Sequence, residues 1–244
     1  MAENKVVKPY NKKDKSKKEE VAEMFDNISG RYDFLNHFLS LGIDHLWRKK
    51  AIKMLKENQP KKIIDLATGT GDFALAALKL NPEKVVGVDI SDGMLEKGRE
   101  KIKKKGKEHI ITMVNGDSED LPFEDNEFDA LTVGFGVRNY ENLEKGLGEM
   151  LRVIAPGGKA IILEFSKPKK FPVKQFFGFY SKFIIPMLGK TISKDSSAYE
   201  YLPESVAAFP EGQDFLDILE RVGYKNTSAR MVSGGIATIY TGVK

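Results

Sequence analysis

The sequence predicts an α/β fold built on a mostly parallel, seven-stranded sheet with helices on both faces, and three observations predict it. Five short apolar runs, KKIIDLA, KVVGVDI, IITMVNGD, FDALTVGFG and KAIILEF, follow one another from Lys61 with helical stretches between them. That is the rhythm of parallel strands joined by crossover helices. The first run ends in a glycine-rich turn, Ala67-Thr68-Gly69-Thr70-Gly71-Asp72. Two further strand candidates, YKNTSARMVSG and IATIYTGVK, meet at Gly234 and Gly235 and read as a hairpin that adds an antiparallel edge strand.

The remaining elements follow in order. Residues 19–58 read as helical, with Val21, Met24, Phe25 and Ile28 on one face and Leu46, Trp47, Ile52, Met54 and Leu55 in a second stretch. Phe73 to Leu80 starts a helix after the glycine turn. Pro156, Gly157 and Gly158 are expected to break the chain just before the KAIILEF strand. From Ser166 to about Pro203 the alternation is interrupted by an aromatic-rich insertion, and Gly212 to Val222 reads as a helix.

Composition bounds the function. A chain of 244 residues, 41% hydrophobic and 30% charged, suits one globular domain, expected over residues 21–244 with the insertion at 171–203. There is no cysteine and there are three histidines, His37, His45 and His109, so disulfides, zinc thiolates and a cysteine nucleophile are excluded and no metal site is expected. Of the net charge of +4, residues 1–20 carry +3, with seven Lys against Glu3, Asp14, Glu19 and Glu20. The plain reading is a solvated, disordered leader; the sharper one is an arm drawn to anionic lipid or nucleic acid. No nucleic-acid partner is expected from the rest of the chain. Without an apolar leader or a run of 18 apolar residues, the expected address is the cytoplasm.

The chemistry concentrates at the glycine turn. Glycines there let a ligand touch backbone where a Cβ would collide, at the carboxyl end of the sheet. Asp89 ends the second strand 20 residues after Gly69, where a carboxylate can accept both hydroxyl hydrogens of a ribose. Gly69-Thr-Gly71-Asp-Phe-Ala74 also satisfies the dinucleotide pattern G-x-G-x-x-A, so NAD is the competitor. Three features favour S-adenosylmethionine. Asp65 is placed to meet an ammonium and would repel a pyrophosphate; Asp72 inside the turn is a poor companion for phosphates. Gly116-Asp117-Ser118, followed by Leu121-Pro122-Phe123, resembles the methyltransferase loop that grips the adenine amino group. The expected cofactor contacts are Asp65, Thr68, Gly69, Gly71, Asp89, Ile90, Asp117, Ser118 and Gly134.

Tyr32-Asp33-Phe34-Leu35-Asn36, Leu39-Ser40-Leu41-Gly42, Trp47-Arg48, DLATGTGD, Phe135-Gly136-Val137-Arg138-Asn139, Arg152-Val153 with Pro156-Gly157-Gly158, Glu164-Phe165-Ser166, and Tyr201-Leu202-Pro203 with Phe209-Pro210 carry a resemblance. Over roughly residues 20–244 the chain resembles the quinone C-methyltransferases of menaquinone and ubiquinone biosynthesis. The resemblance implies a class I, Rossmann-like methyltransferase that methylates a ring carbon of demethylmenaquinol, a polyprenylated quinol. A ubiquinone-precursor benzoquinol is the alternative acceptor, and a non-catalytic scaffold among quinone enzymes the alternative role. Two positions depart from the family: Ala155, where a basic residue is usual, and Gly134, where many members have Ser.

A reduced quinol is electron-rich, and loss of a phenolic proton makes its ring carbon nucleophilic. The site must then align ring and methyl and stabilise a developing oxyanion. Arg138, on the loop after the fourth strand, suits the second task, since arginine stays protonated; a surface ion pair is its bland alternative. Asn139 and Tyr32 are the other catalytic candidates, as residues that orient substrate or cofactor. His45 is a proton acceptor by its ordinary pKa, although a lone helical His is more often structural. The insertion, with six aromatics between Phe171 and Gly189, is read either as a lid or as an apolar surface touching bilayer or tail. Weak peripheral membrane association fits the second reading, and a homodimer is left open.

Overall fold

The computed structural model describes residues 7–31, 42–179 and 197–244. Its centre is a seven-stranded sheet in the order β3-β2-β1-β4-β5-β7-β6, comprising β1 (Lys62–Leu66), β2 (Lys84–Asp89), β3 (Ile111–Asn115), β4 (Phe128–Gly134), β5 (Ile154–Phe165), β6 (Lys225–Val232) and β7 (Ala237–Val243). The described helices are α1 (Lys17–Ile28), α2 (Asp44–Lys53), α3 (Asp72–Ala77), α4 (Asp92–Lys104), α5 (Leu143–Val153), α6 (Val173–Phe179), α7 (Ser197–Ala208) and α8 (Gln213–Val222). The strands predicted from Lys61 are all present, and helices follow β1, β2 and β4 as expected, but β3 and β4 are joined by a loop without a helix.

The central strands are buried on both faces, which is why they read as unbroken apolar runs. Side chains alternate between two cores. Ile64, Leu66, Val86, Val88, Leu131 and Val133 point toward α5 and α8 and meet Leu147, Met150, Phe215 and Leu219. Ile63, Val85, Ala130, Ile161 and Leu163 face the opposite way and meet Trp47 and Ala51 of α2, Phe73 and Ala77 of α3, and Leu95 and Ile102 of α4.

Four details differ from the sequence expectation. First, the one strand running against the others is β7, which pairs antiparallel with both β5 and β6; it lies one place inside the edge, and β6 forms the edge. The polar β6 is largely exposed and the apolar β7 largely buried, so burial puts the apolar member of the hairpin inside. Second, Pro156-Gly157-Gly158 does not precede β5 but lies within it as a bulge. Ile154 pairs with Phe128 and the register resumes at Ala130–Lys159, with Gly157 at φ +80°. Third, the leader is not a free tail up to residue 20. From Val7 on it packs back on α1, where the Glu20 carboxylate, fully buried, accepts the backbone N–H groups of Tyr10 (2.6 Å) and Lys12 (2.8 Å). Fourth, α1 starts at Lys17 in a capping box of Ser16 and Glu19.

Candidate functional site

The strand order reverses between β1 and β4, since the chain first builds β1-β2-β3 to one side and then β4-β5 to the other. The loops leaving the carboxyl ends of β1 and β4 diverge there, and such a switch point is where open α/β sheets bind ligands. A cleft opens at this point. Gly69, Asp89, Ile90, Asp117, Ser118, Gly134 and Asn139 line it, so seven of the predicted site residues come together. Tyr32 lies outside the described residues.

Asp89 is the anchor. Its carboxylate is 8% exposed and accepts the N–H of Gly69 at 2.7 Å and of Ser91 at 2.9 Å. Each oxygen keeps lone-pair capacity on the cleft side for a further donor. Burial raises its pKa from 3.8 to about 6 against the lowering effect of these bonds. Ala67 and Phe135, the residues that follow β1 and β4, both line the cleft and both have positive φ, 46° and 59°. Backbone strain at two non-glycine residues facing one cavity is characteristic of a ligand site.

Asp65, Thr68 and Gly71 do not line the cleft. Asp65 is fully buried behind the loop, where it accepts hydrogen bonds from Thr68 Oγ1 (2.6 Å), Thr132 Oγ1 (2.6 Å) and Ala74 N (3.1 Å). Burial lifts its pKa to about 6. Its place is to brace the glycine loop against β4 and the start of α3, not to meet a ligand ammonium. Thr68 is part of that brace, and Gly71 caps α3 with φ +83°. Asp72 pairs with Lys101 at 2.9 Å and Arg48 at 3.5 Å. The electrostatic case against a pyrophosphate therefore does not rest on Asp65 or Asp72.

Arg138 also departs from expectation. Its guanidinium forms an ion pair with Glu164 at 3.0 Å, with side-chain exposures of 7% and 0%, donates to the Phe135 carbonyl and lies 5.5 Å from the Phe165 ring. It is absent from the residues lining the cleft. Neither a surface pair nor an oxyanion clamp on the cleft wall describes it: the fold buries it, and its Nε has no hydrogen-bond partner among the described residues. Asn139 does line the cleft and is oriented by Tyr201, whose hydroxyl donates to Oδ1 at 3.1 Å. His45 is exposed on α2 and away from the cleft.

Sequence reasoning missed the wall formed by α1. Lys18, Val21 and Phe25 line the cleft; Lys18 pairs with Asp117 at 2.9 Å, and Asp26 accepts from Ser91 Oγ (2.6 Å) and Gly93 N (2.9 Å). Lys17 donates to the carbonyls of Arg138 (3.0 Å) and Tyr140 (2.8 Å), and burial lowers its pKa to about 8. No local signal joins α1 to loops about a hundred residues away. Gly136 was missed as well, although it stands inside the FGVRN motif. A Cβ there would sit 2.4 Å from Ala67 Cβ and 3.0 Å from Val133 Cγ2, while its φ of −104° is open to any residue. Gly136→Ala is therefore a purely steric change, expected to cost about 1–3 kcal/mol and to weaken ligand binding by shifting Ala67. Thermal denaturation and calorimetry check it, and stability within about 0.5 kcal/mol of wild type would show that the loop absorbs the methyl.

Comparison with known proteins agrees with this geometry. The family model described as the ubiE/COQ5 methyltransferase family matches residues 13–244. A demethylmenaquinone methyltransferase of Bacteroides fragilis is 52% identical over 239 residues, spanning 98% of this chain and 97% of the relative. A ubiquinone/menaquinone biosynthesis C-methyltransferase of Geobacter sulfurreducens is 44% identical over 230 residues, spanning 93% and 90%. Among solved structures, a SAM-dependent methyltransferase of Thermotoga maritima superposes with a TM-score of 0.62 at 17% identity, covering 91% of this chain and 99% of that one. A phosphoethanolamine N-methyltransferase of Haemonchus contortus, in complex with S-adenosyl-L-methionine, gives 0.59 at 16%, covering 87% and 59%. At those identities the structures establish a shared fold alone, whereas the match to the family model, nearly the whole chain long, establishes that the chain belongs to the ubiE/COQ5 methyltransferase family.

Proposed function

We propose that this protein is an S-adenosylmethionine-dependent C-methyltransferase that converts demethylmenaquinol to menaquinol. The observation that carries the reading is the meeting of Gly69, Asp89 and Asp117 in one cleft at the switch point, in a chain whose relatives bear that activity as their name. The residues that line the cleft fit the cofactor: Asp89 would accept ribose hydroxyls, the Gly69 turn would let a ligand approach the backbone, and Ile90, Asp117 and Ser118 would hold the adenine. Bound there, S-adenosylmethionine supplies an electrophilic methyl group on a sulfonium sulfur.

The chain's own part is binding, orientation and exclusion of water. Val21 and Phe25 of α1 cover the cleft, which strengthens electrostatic interactions inside it. Asn139, held by Tyr201 and by the Phe135 carbonyl, lines the same space. Gly134 keeps the wall low: a Cβ there would stand 3.0 Å from the Phe73 ring, so a side chain at this position has to push against Phe73. Arg138 acts on the site from behind the wall, by fixing the Phe135 carbonyl and Glu164.

Incubating the purified chain with methyl donor and reduced demethylmenaquinone, followed by mass analysis of the extracted quinone, tests the proposal. One added methyl on the ring and stoichiometric S-adenosylhomocysteine are expected. Methylation of a benzoquinol alone would move the acceptor to the ubiquinone series, and cofactor binding without product would leave a scaffold. Peripheral contact with a bilayer belongs to this reading because the acceptor tail is apolar. Analytical ultracentrifugation decides between monomer and homodimer.

A further inference from the structure

No helix among the described residues is long and apolar enough to cross a membrane, yet four of the five large apolar side chains exposed among the described residues, all but Leu46 on α2, fall at one place. Phe171 is 81% exposed, Phe176 73% and Phe179 60%, on and just before α6, and Met231 at the end of β6 is 69% exposed. These side chains belong to one region. A Cβ on Gly234 would touch Val173 of α6, and one on Gly235 would touch Pro168 and the Met231 sulfur, so the segment after β5 lies against the β6–β7 turn. Phe176 and Phe179, three residues apart, share a helical face.

The segment that carries the aromatics has charges of one sign. Ser166 to Phe179 contains Lys167, Lys169, Lys170 and Lys174 and no acid. Among the described residues the acid paired with the segment, Glu211, is taken up by Lys169 and by the Lys167 backbone N–H, while Lys170 and Lys174 are exposed. Exposed aromatics framed by lysines match the two layers of an anionic bilayer surface, acyl boundary and phosphate. A protein partner would match the apolar part equally well; the lysine excess is what selects lipid.

Position adds the functional point. β5 and β6 run in the same direction as β1 and β4, so the segment after β5 and the turn after β6 leave the same edge of the sheet at which the cleft opens. We infer that Phe171, Phe176, Phe179 and Met231, with Lys170 and Lys174, form a docking face for an anionic phospholipid bilayer that holds the cleft edge toward the membrane. The inference rests on the proposed use of an apolar-tailed acceptor, but its test does not depend on turnover.

The purified full chain is sedimented with phosphatidylcholine vesicles and with vesicles of phosphatidylcholine mixed with phosphatidylglycerol. Binding at least about tenfold tighter to the anionic vesicles, weakened by salt, is expected. Lys170→Glu with Lys174→Glu, and separately Phe171→Ser with Phe176→Ser, are each expected to reduce that binding about tenfold or more, while turnover of a tail-free quinol analogue stays at the wild-type level. Equal binding to both vesicles, binding to neither, or variants that bind like wild type would overturn the docking face. Absence of demethylmenaquinol methylation by the wild type would instead overturn the proposed reaction and leave the vesicle result standing.

Discussion

Arg138→Ala is expected to lower folding stability by about 3–5 kcal/mol, the cost of stranding one member of a buried ion pair. Its partner Glu164 is fully buried, and burial raises the Glu164 pKa against the pull of Arg138. Without the guanidinium, that carboxylate keeps, among the described residues, the N–H groups of Phe165 (2.8 Å) and Arg138 (3.4 Å). Glu164→Gln removes the charge and keeps one carbonyl acceptor, for the Phe165 N–H. In that background Arg138→Ala should cost clearly less than in the wild type, and urea denaturation of the four proteins of the cycle measures the coupling. Equal costs in both backgrounds would mean that the pair is not coupled. Arg138→Lys keeps the charge without the planar fork and should recover part of the stability. Catalysis should suffer as well, through displacement of the Phe135 wall that the guanidinium fixes.

Acidification is expected to act on the cofactor-free protein and on cofactor binding in opposite directions. Asp65 and Asp89 both titrate near 6 in the folded state, up from 3.8, so between pH 4 and 6 the folded chain holds protons that the unfolded chain has released. That stabilising contribution is fully present below about pH 4 and is lost as the pH rises through 6. For Asp89 it amounts to about 1 kcal/mol between pH 7 and pH 5, read as the stability of wild type relative to Asp89→Asn at the two pH values. Affinity for S-adenosylmethionine runs the other way, because a protonated Asp89 is a poorer acceptor for ribose hydroxyls. Calorimetry should show about a tenfold loss from pH 7 to pH 5. Asp65 titrates in the same range but does not touch the cleft, so Asp89→Asn should abolish most of the slope. At pH 7 Asp89→Ala should weaken binding by about 1.5–3 kcal/mol. A flat pH profile in the wild type would remove Asp89 as the ribose acceptor.

The parts of this site that could be read from sequence are those set by local pattern. The glycine turn, the Asp89 position 20 residues on and the Asp117-Ser118 loop follow from strand ends, and strand ends follow from apolar runs. What escaped depends on contacts between distant segments. Asp65 sits where a ligand acid would sit, but Thr132, 67 residues away, turns it inward. Arg138 is drawn to Glu164 across a strand boundary, and α1 reaches Asp117 and Ser91 through side chains that look like ordinary helix surface. The place of β7 was legible in principle: a hairpin of one polar and one apolar strand puts the apolar member inside, a criterion of burial that pairing alone does not supply.

That inside position bears on how the chain is made. Seventy-one residues separate Phe165, the last of β5, from Ala237, the first of β7, and until β7 arrives the Ile161–Leu163 flank of β5 has no partner. At about 5–20 residues per second of synthesis, the ribosome leaves an apolar strand edge open for roughly 4–14 s. Such an edge is a template for wrong pairing with other nascent chains, so the protein should lean on chaperones that hold unfinished sheets. Ribosome-arrested chains ending before β7 should be cut by protease around β5, and chains long enough to expose all of β7 beyond the exit tunnel should be protected there.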